Sequence, residues 1–183
     1  MQNSSANMKR GLLVAAFLCF AGSWAGAAEN RAIQLGLTPV VSLFSTPDYQ
    51  KTAGAGVLLN YHFLLKPKSW IGIHLSGRKL GLNFHTSYGL MMRHYLVDNP
   101  LDPNTGFSPY LSYGLLLQVS SLAGKVGTAT SHQTALILGS DWNAWGQRWF
   151  SEMGYHYSRI RHFSEKTIPL DRLEAAFGWV YLF

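Results

Sequence analysis

From residue 33 onward, bulky apolar side chains recur at every second position. Ile33, Leu35 and Leu37, then Val41 and Leu43, alternate with Gln34, Gly36, Thr38 and Ser42. Ala55, Val57, Leu59, Tyr61, Phe63 and Leu65 alternate with Gly56, Leu58, Asn60, His62 and Leu64. Ile71, Ile73 and Leu75 alternate with Gly72, His74 and Ser76, and Leu82, Phe84, Tyr88, Leu90 and Met92 with Asn83, His85, Ser87, Gly89 and Arg93. Leu111 to Val119 repeats the rhythm against Ser112, Gly114, Gln118 and Ser120; Leu136, Leu138 and Trp142 keep it less cleanly against Ala135, Gly139, Asp141 and Asn143. Trp149, Met153, Tyr155 and Tyr157 oppose Glu152, Gly154, His156 and Ser158. Last, Phe177, Trp179, Tyr181 and Phe183 oppose Glu174, Ala176, Gly178 and Val180. A period of two over segments this long predicts eight strands, each with one bulky face and one small or polar face.

The predicted turns are Pro67-Lys68, Asn99 to Gly106 and Asn143 to Gln147; the predicted outer loops are Ser45 to Lys51, Gly77 to Gly81, Gly124 to Thr130 and Arg161 to Asp171. A soluble sandwich buries its bulky face and gives the same alternation. Composition separates the two. The chain is 48% hydrophobic and 14% aromatic but only 13% charged, against about a quarter charged in soluble domains. Segments of about ten residues in even number suit strands that cross a bilayer. Trp70, Trp145, Trp149 and Trp179 lie near segment ends, where interfacial girdles fall. Lipid offers no water to the backbone, so such a sheet must close. The expected fold is all-β: an eight-stranded antiparallel up-and-down transmembrane barrel in a bacterial outer membrane.

The first residues read differently. Lys9 and Arg10 precede an apolar run from Leu12 to Phe20, then Ala25-Gly26-Ala27-Ala28. This is the layout of a secretory signal, with cleavage after Ala27. The run is short for an uncleaved membrane anchor, which needs about 20 residues. Residues 1–27 are therefore expected to be a signal peptide and 28–183 the barrel domain. The only cysteine, Cys19, lies in that leader behind a poor lipidation box, so the mature chain is expected to lack disulfides and thiol chemistry. Of the formal charge of +6, Lys9 and Arg10 supply two, leaving +4. That mild, dispersed excess fits no nucleic-acid motif. It suits anionic lipopolysaccharide, for which Arg78, Lys79, Lys125, Arg161 and Lys166 are the candidate loop cations.

The small face should line the interior. It carries Asn60, His62, His74, Asn83, His85, Arg93, Gln118, Asp141, Glu152, His156 and Glu174. Eight strands enclose a space that side chains fill, so these groups must pair with one another. A packed polar network is expected rather than a channel. His62, His74 and His85 lack metal-ligand spacing, and no cofactor is expected.

Two resemblances add to this. The alternating aromatics that end at Phe183 resemble the terminal strand of bacterial outer-membrane barrels, which implies recognition by the barrel-assembly machinery. His156-Tyr157-Ser158 with Glu174 resembles the lipid A 3-O-deacylase family, eight-stranded barrels that remove an ester-linked acyl chain. That resemblance implies Ser158 as nucleophile, His156 as base and Glu174 as the carboxylate that orients the ring. The family's asparagine after the serine is replaced here by Arg159, and alternation puts all three residues on the interior face. A second copy of the motif, His162-Phe163-Ser164, is followed by Glu165. The leading expectation is a monomeric, non-enzymatic barrel with a structural or surface-interaction role. The alternative is an outer-membrane esterase acting on lipid A.

Overall fold

A computed structural model describes residues 31–42, 53–98, 100, 105–121, 128–161, 167–169 and 171–183. The expected leader, the expected outer loop from Ser45 to Lys51, Lys125, the second motif copy and Lys166 lie outside the described residues.

Among the described residues nine strands form: β1 (Arg31–Ser42), β2 (Ala53–Lys66), β3 (Ser69–Leu80), β4 (Asn83–Tyr95), β5 (Phe107–Ser121), β6 (Thr128–Ala144), β7 (Gln147–Arg161), β8 (Thr167–Pro169) and β9 (Arg172–Leu182). Eight of them are long and each pairs antiparallel with its neighbours, β1 closing the ring against β9. β8 is a short extra piece paired only with the end of β7, within the segment expected to be loop from Arg161 to Asp171.

The register fixes the shape. Following hydrogen-bonded partners from Ala32 leads through His62, Gly72, Met91, Gly114, Ala135, His156 and Arg172 back to Ser42, ten residues further along β1. A stagger of that size over eight strands tilts them by about 40°. It also offsets side chains around the wall, so β3 meets β9 and β4 meets β7 across a narrow lumen.

The turns between paired strands are tight. Trp145 and Gly146 connect β6 to β7 with φ of 52° and 71°, the left-handed pair of a type I′ hairpin. A tryptophan in that region costs roughly 1 kcal/mol, and here its indole is free to sit outward. Gly81 and Leu82 connect β3 to β4. The expected loop from Gly77 to Gly81 is thus mostly strand, because alternation continues through Leu80. Arg78 consequently points inward and is fully buried, not at the surface where a lipopolysaccharide contact would need it.

Polarity is inverted relative to a soluble protein. Leu37, Leu90, Leu115, Leu138 and Met153 are exposed on the outer wall, while Gln34, Asn60, Ser87, Gln118 and Arg172 are buried within. No helix among the described residues is long and apolar enough to cross a membrane; the strands provide the spanning structure, since a closed sheet leaves no backbone group unpaired.

Trp70 departs from expectation. It is 1% exposed, inside the barrel and not in an outer girdle. Its parity on β3 matches His74 and Ser76, which alternation alone dictates. With Tyr95, Tyr110 and Phe150 it forms an aromatic plug at the end where β1 begins and β9 finishes. Small residues make room for it: a Cβ on Gly36 would lie 2.5 Å from Phe150, and one on Gly139 would lie 2.5 Å from Tyr110. The outer aromatics gather on one wall, where Trp149 stacks near Trp142, Phe177 and Trp179 at centroid distances of 6.0, 5.2 and 5.1 Å.

Candidate functional site

The interior polar residues divide into two networks. The first surrounds Arg93 above the aromatic plug. Arg93 Nη2 donates to Glu152 Oε1 and to Gln34 Oε1, both at 2.7 Å. Its guanidinium lies 3.7 Å from the centroid of the Tyr110 ring, within cation–π range. Tyr110 donates to Glu152 at 2.8 Å, and Tyr95 donates to Asp141 Oδ2 at 2.6 Å. Arg148 Nε stands 3.5 Å from Asp141. Arg148 and Ser108 also donate to the Pro100 carbonyl, which ties Pro100 to the inward faces of β5 and β7. Two carboxylates face two guanidiniums, so the charge balances locally.

The second network lies toward the other end and holds the candidate triad. Glu174 Oε2 is 2.7 Å from Arg78 Nε, 3.4 Å from His156 Nε2 and 3.7 Å from Arg172 Nε. Arg172 donates to Gln118 Oε1 at 2.8 Å and to Gln133 Oε1 at 2.9 Å. Ser87 also donates to Gln133 Oε1, at 2.9 Å. Two donors on that oxygen fix the amide's orientation, and its Nε2 then donates to His156 Nδ1.

His156, Ser158 and Glu174 therefore all lie inside, as their parity predicts, and all are nearly fully buried. His156 and Glu174 are brought together, as a histidine and its orienting carboxylate would be. The opposite ring nitrogen is the one that must accept a serine's proton. Here Gln133 donates to it. The cavity beside these residues, lined by His74, Glu152, His156 and Glu174 with apolar neighbours, measures about 10 Å³, on the order of one water molecule. No acyl chain fits there.

The other interior histidines differ in their partners, and both ring nitrogens of His62 are buried without one. His74 donates to Asn60 Oδ1 at 2.6 Å and meets Ser76 at 2.9 Å, while His85 meets Ser120 at 2.8 Å. Among the described residues no group of three or more His, Cys, Asp or Glu is arranged to hold a metal ion. Asn83, at the β3–β4 turn, is only half-buried.

Sequence reasoning missed Arg78, Arg172, Gln133, Tyr95 and Tyr110 as interior residues. Parity could have found each of them. Arg172 is two residues from Glu174, Gln133 is two from Ala135, and Tyr95 is two from Arg93.

No protein-family model and no curated protein sequence matches the chain. Solved structures do. Neisserial surface protein A (NspA) superposes with a TM-score of 0.63 at 15% identity, over 84% of this chain and 97% of that one. The outer-membrane protein OprG from Pseudomonas aeruginosa gives 0.55 at 16% identity, over 85% and 96%. Ail, the attachment invasion locus protein of Yersinia pestis, gives 0.52 at 13% identity, over 84% and 99%. At these identities the likeness is one of fold: a closed eight-stranded antiparallel barrel of the outer-membrane kind.

Proposed function

We propose that this protein is a non-catalytic barrel of the bacterial outer membrane, with a scaffolding interior and a function carried by its outer surface. The observation that carries this reading is the filled lumen. Buried ion pairs cross it, an aromatic plug closes one end, and the cavity at the candidate triad is water-sized. A deacylase must reach an acyl ester in the outer leaflet, so its triad must open toward lipid. The membrane lipid is the immediate partner, and lipopolysaccharide is the expected surface ligand through Lys79 and the cations of the outer loops. The C-terminal strand is the proposed mark for the assembly machinery, the barrel acts as a monomer, and residues 1–27 are a cleaved export signal.

The second reading, a lipid A esterase, has one observation in its favour: the 3.4 Å approach of His156 to Glu174, with Ser158 on the same face of β7. One assay separates the two. The protein is refolded with lipopolysaccharide, and released hydroxy-fatty acid is measured for wild type and Ser158→Ala. The scaffold reading expects no release from either. Release by wild type alone overturns it in favour of the esterase.

A further inference from the structure

The outer network contains a chain of hydrogen bonds whose last donor has no acceptor. Arg172 Nη1 donates to Gln118 Oε1, so Gln118 Nε2 is the donor that reaches Ser120 Oγ at 3.0 Å. Ser120 Oγ lies 2.8 Å from His85 Nδ1, and either atom can be the donor; in the tautomer where Ser120 donates, the chain continues into the ring. With Nδ1 accepting, the ring carries its hydrogen on Nε2. That atom is buried and has no hydrogen-bond partner. Arg78 is the register partner of His85 on the adjacent strand. It donates from Nη1 to Ser87 at 3.0 Å and faces Glu174 through Nε, but its Nη2 is likewise buried without a partner. Ser131 Oγ, toward the same end on β6, is a third such atom.

The charge is unbalanced in the same place. Arg93 and Arg148 are matched by Glu152 and Asp141. Arg78 and Arg172 share the single carboxylate of Glu174. Asp171 does not make up the difference, because its parity is opposite to that of Arg172 and it bonds the outward-facing Tyr155. Among the described residues the outer half thus holds one unmatched positive charge. An uncompensated buried charge is strongly destabilising, and unpartnered buried donors add to the penalty.

We propose that the outer end of the lumen, where Arg78 and His85 lie side by side, binds one small monovalent anion of halide size. An anion there accepts from Arg78 Nη2 and His85 Nε2 and neutralises the excess charge. One unit of charge and close packing favour a halide over a bulky, multiply charged oxyanion. The aromatic plug closes the opposite end, so the anion enters from the end where β3 turns into β4. This inference stands independently of whether Ser158 is catalytic.

Chloride is the probe. The folded protein in detergent micelles is titrated with chloride, and the ³⁵Cl resonance is followed for excess line broadening. Wild type should show saturable broadening. Arg78→Met and His85→Leu should lose it, each with folding verified by heat-dependent gel mobility. Glu174→Gln, which removes the competing carboxylate, should saturate at lower chloride. Absence of excess broadening in folded wild type overturns the proposal. So does equal broadening in wild type and a folded His85→Leu protein.

Discussion

Arg93 Nη2 and Glu152 Oε1 meet at 2.7 Å across the lumen, although β4 and β7 are not neighbours in the sheet. The contact ties opposite walls together. Both side chains are nearly fully buried, so removing one leaves the other charged and unpaired. Arg93→Met should therefore cost about 3–5 kcal/mol. Adding Glu152→Gln to it should recover part of that loss, because the stranded carboxylate is gone. Urea unfolding in lipid, followed by tryptophan fluorescence, measures both.

Gly178 and Gly36 are register partners on β9 and β1, the strands that close the ring. A Cβ on Gly178 would lie 2.0 Å from the Leu35 carbonyl oxygen and 2.5 Å from the Gly36 Cα. These are backbone atoms and cannot swing aside. Gly178→Val should destabilise the barrel on the order of 3 kcal/mol, read as a lower urea midpoint and a smaller heat-modifiable fraction on gels.

The aromatic plug makes a prediction about transport. Trp70, Tyr110 and Phe150 are each at most 1% exposed, and they close the lumen at one end. Wild type should give no stepwise conductance in planar bilayers. A Trp70→Ala, Tyr110→Ala double variant should begin to conduct. Steady conductance of the wild type would mean that the plug is not closed in lipid.

Outside the spanning region, Lys68 and Asp98 form an exposed pair at 2.5 Å, joining the β2–β3 turn to the connection after β4. The hydrogen bond and charge of Lys68 hold the Asp98 carboxyl below its ordinary range. A depressed carboxylate contributes above its unfolded-state pKa and loses that contribution as pH falls through the folded-state value. The contribution is small because both groups are solvated. A carbon-detected NMR titration should place the Asp98 midpoint below that of an ordinary aspartate, and Lys68→Ala should return it to the ordinary range.

Much of this was legible in the sequence because a strand has a period of two and lipid sits on one side. That rhythm gave eight strands, the inward placement of His156, Ser158 and Glu174, and an expected polar network that included Arg93, Asp141 and Glu152 without saying which pairs with which. The errors came from reading chemistry before parity. Arg78 looked like a loop cation because glycines flank it at positions 77 and 81, yet β3 continues through both Arg78 and Leu80. Trp70 looked like a girdle residue because it is aromatic and near a strand end. Which cation faces which carboxylate was not legible, because Arg93 meets Glu152 only through the ten-residue stagger of the closed ring. That stagger depends on pairing between distant strands and leaves no local trace.

The most direct test is to locate lipid and protein interior on alternate residues of one strand pair. Apart from Cys19, the chain has no cysteine to interfere with labelling. Single-cysteine spin labels at Leu115, Leu138 and Met153 should collide readily with oxygen and poorly with a water-soluble nickel complex. Labels at Ser112 and Gln118 should be immobile and shielded from both. Equal access of the nickel complex to Leu115 and Leu138 would contradict an apolar wall facing lipid, and with it the inside-out barrel on which every functional reading here depends.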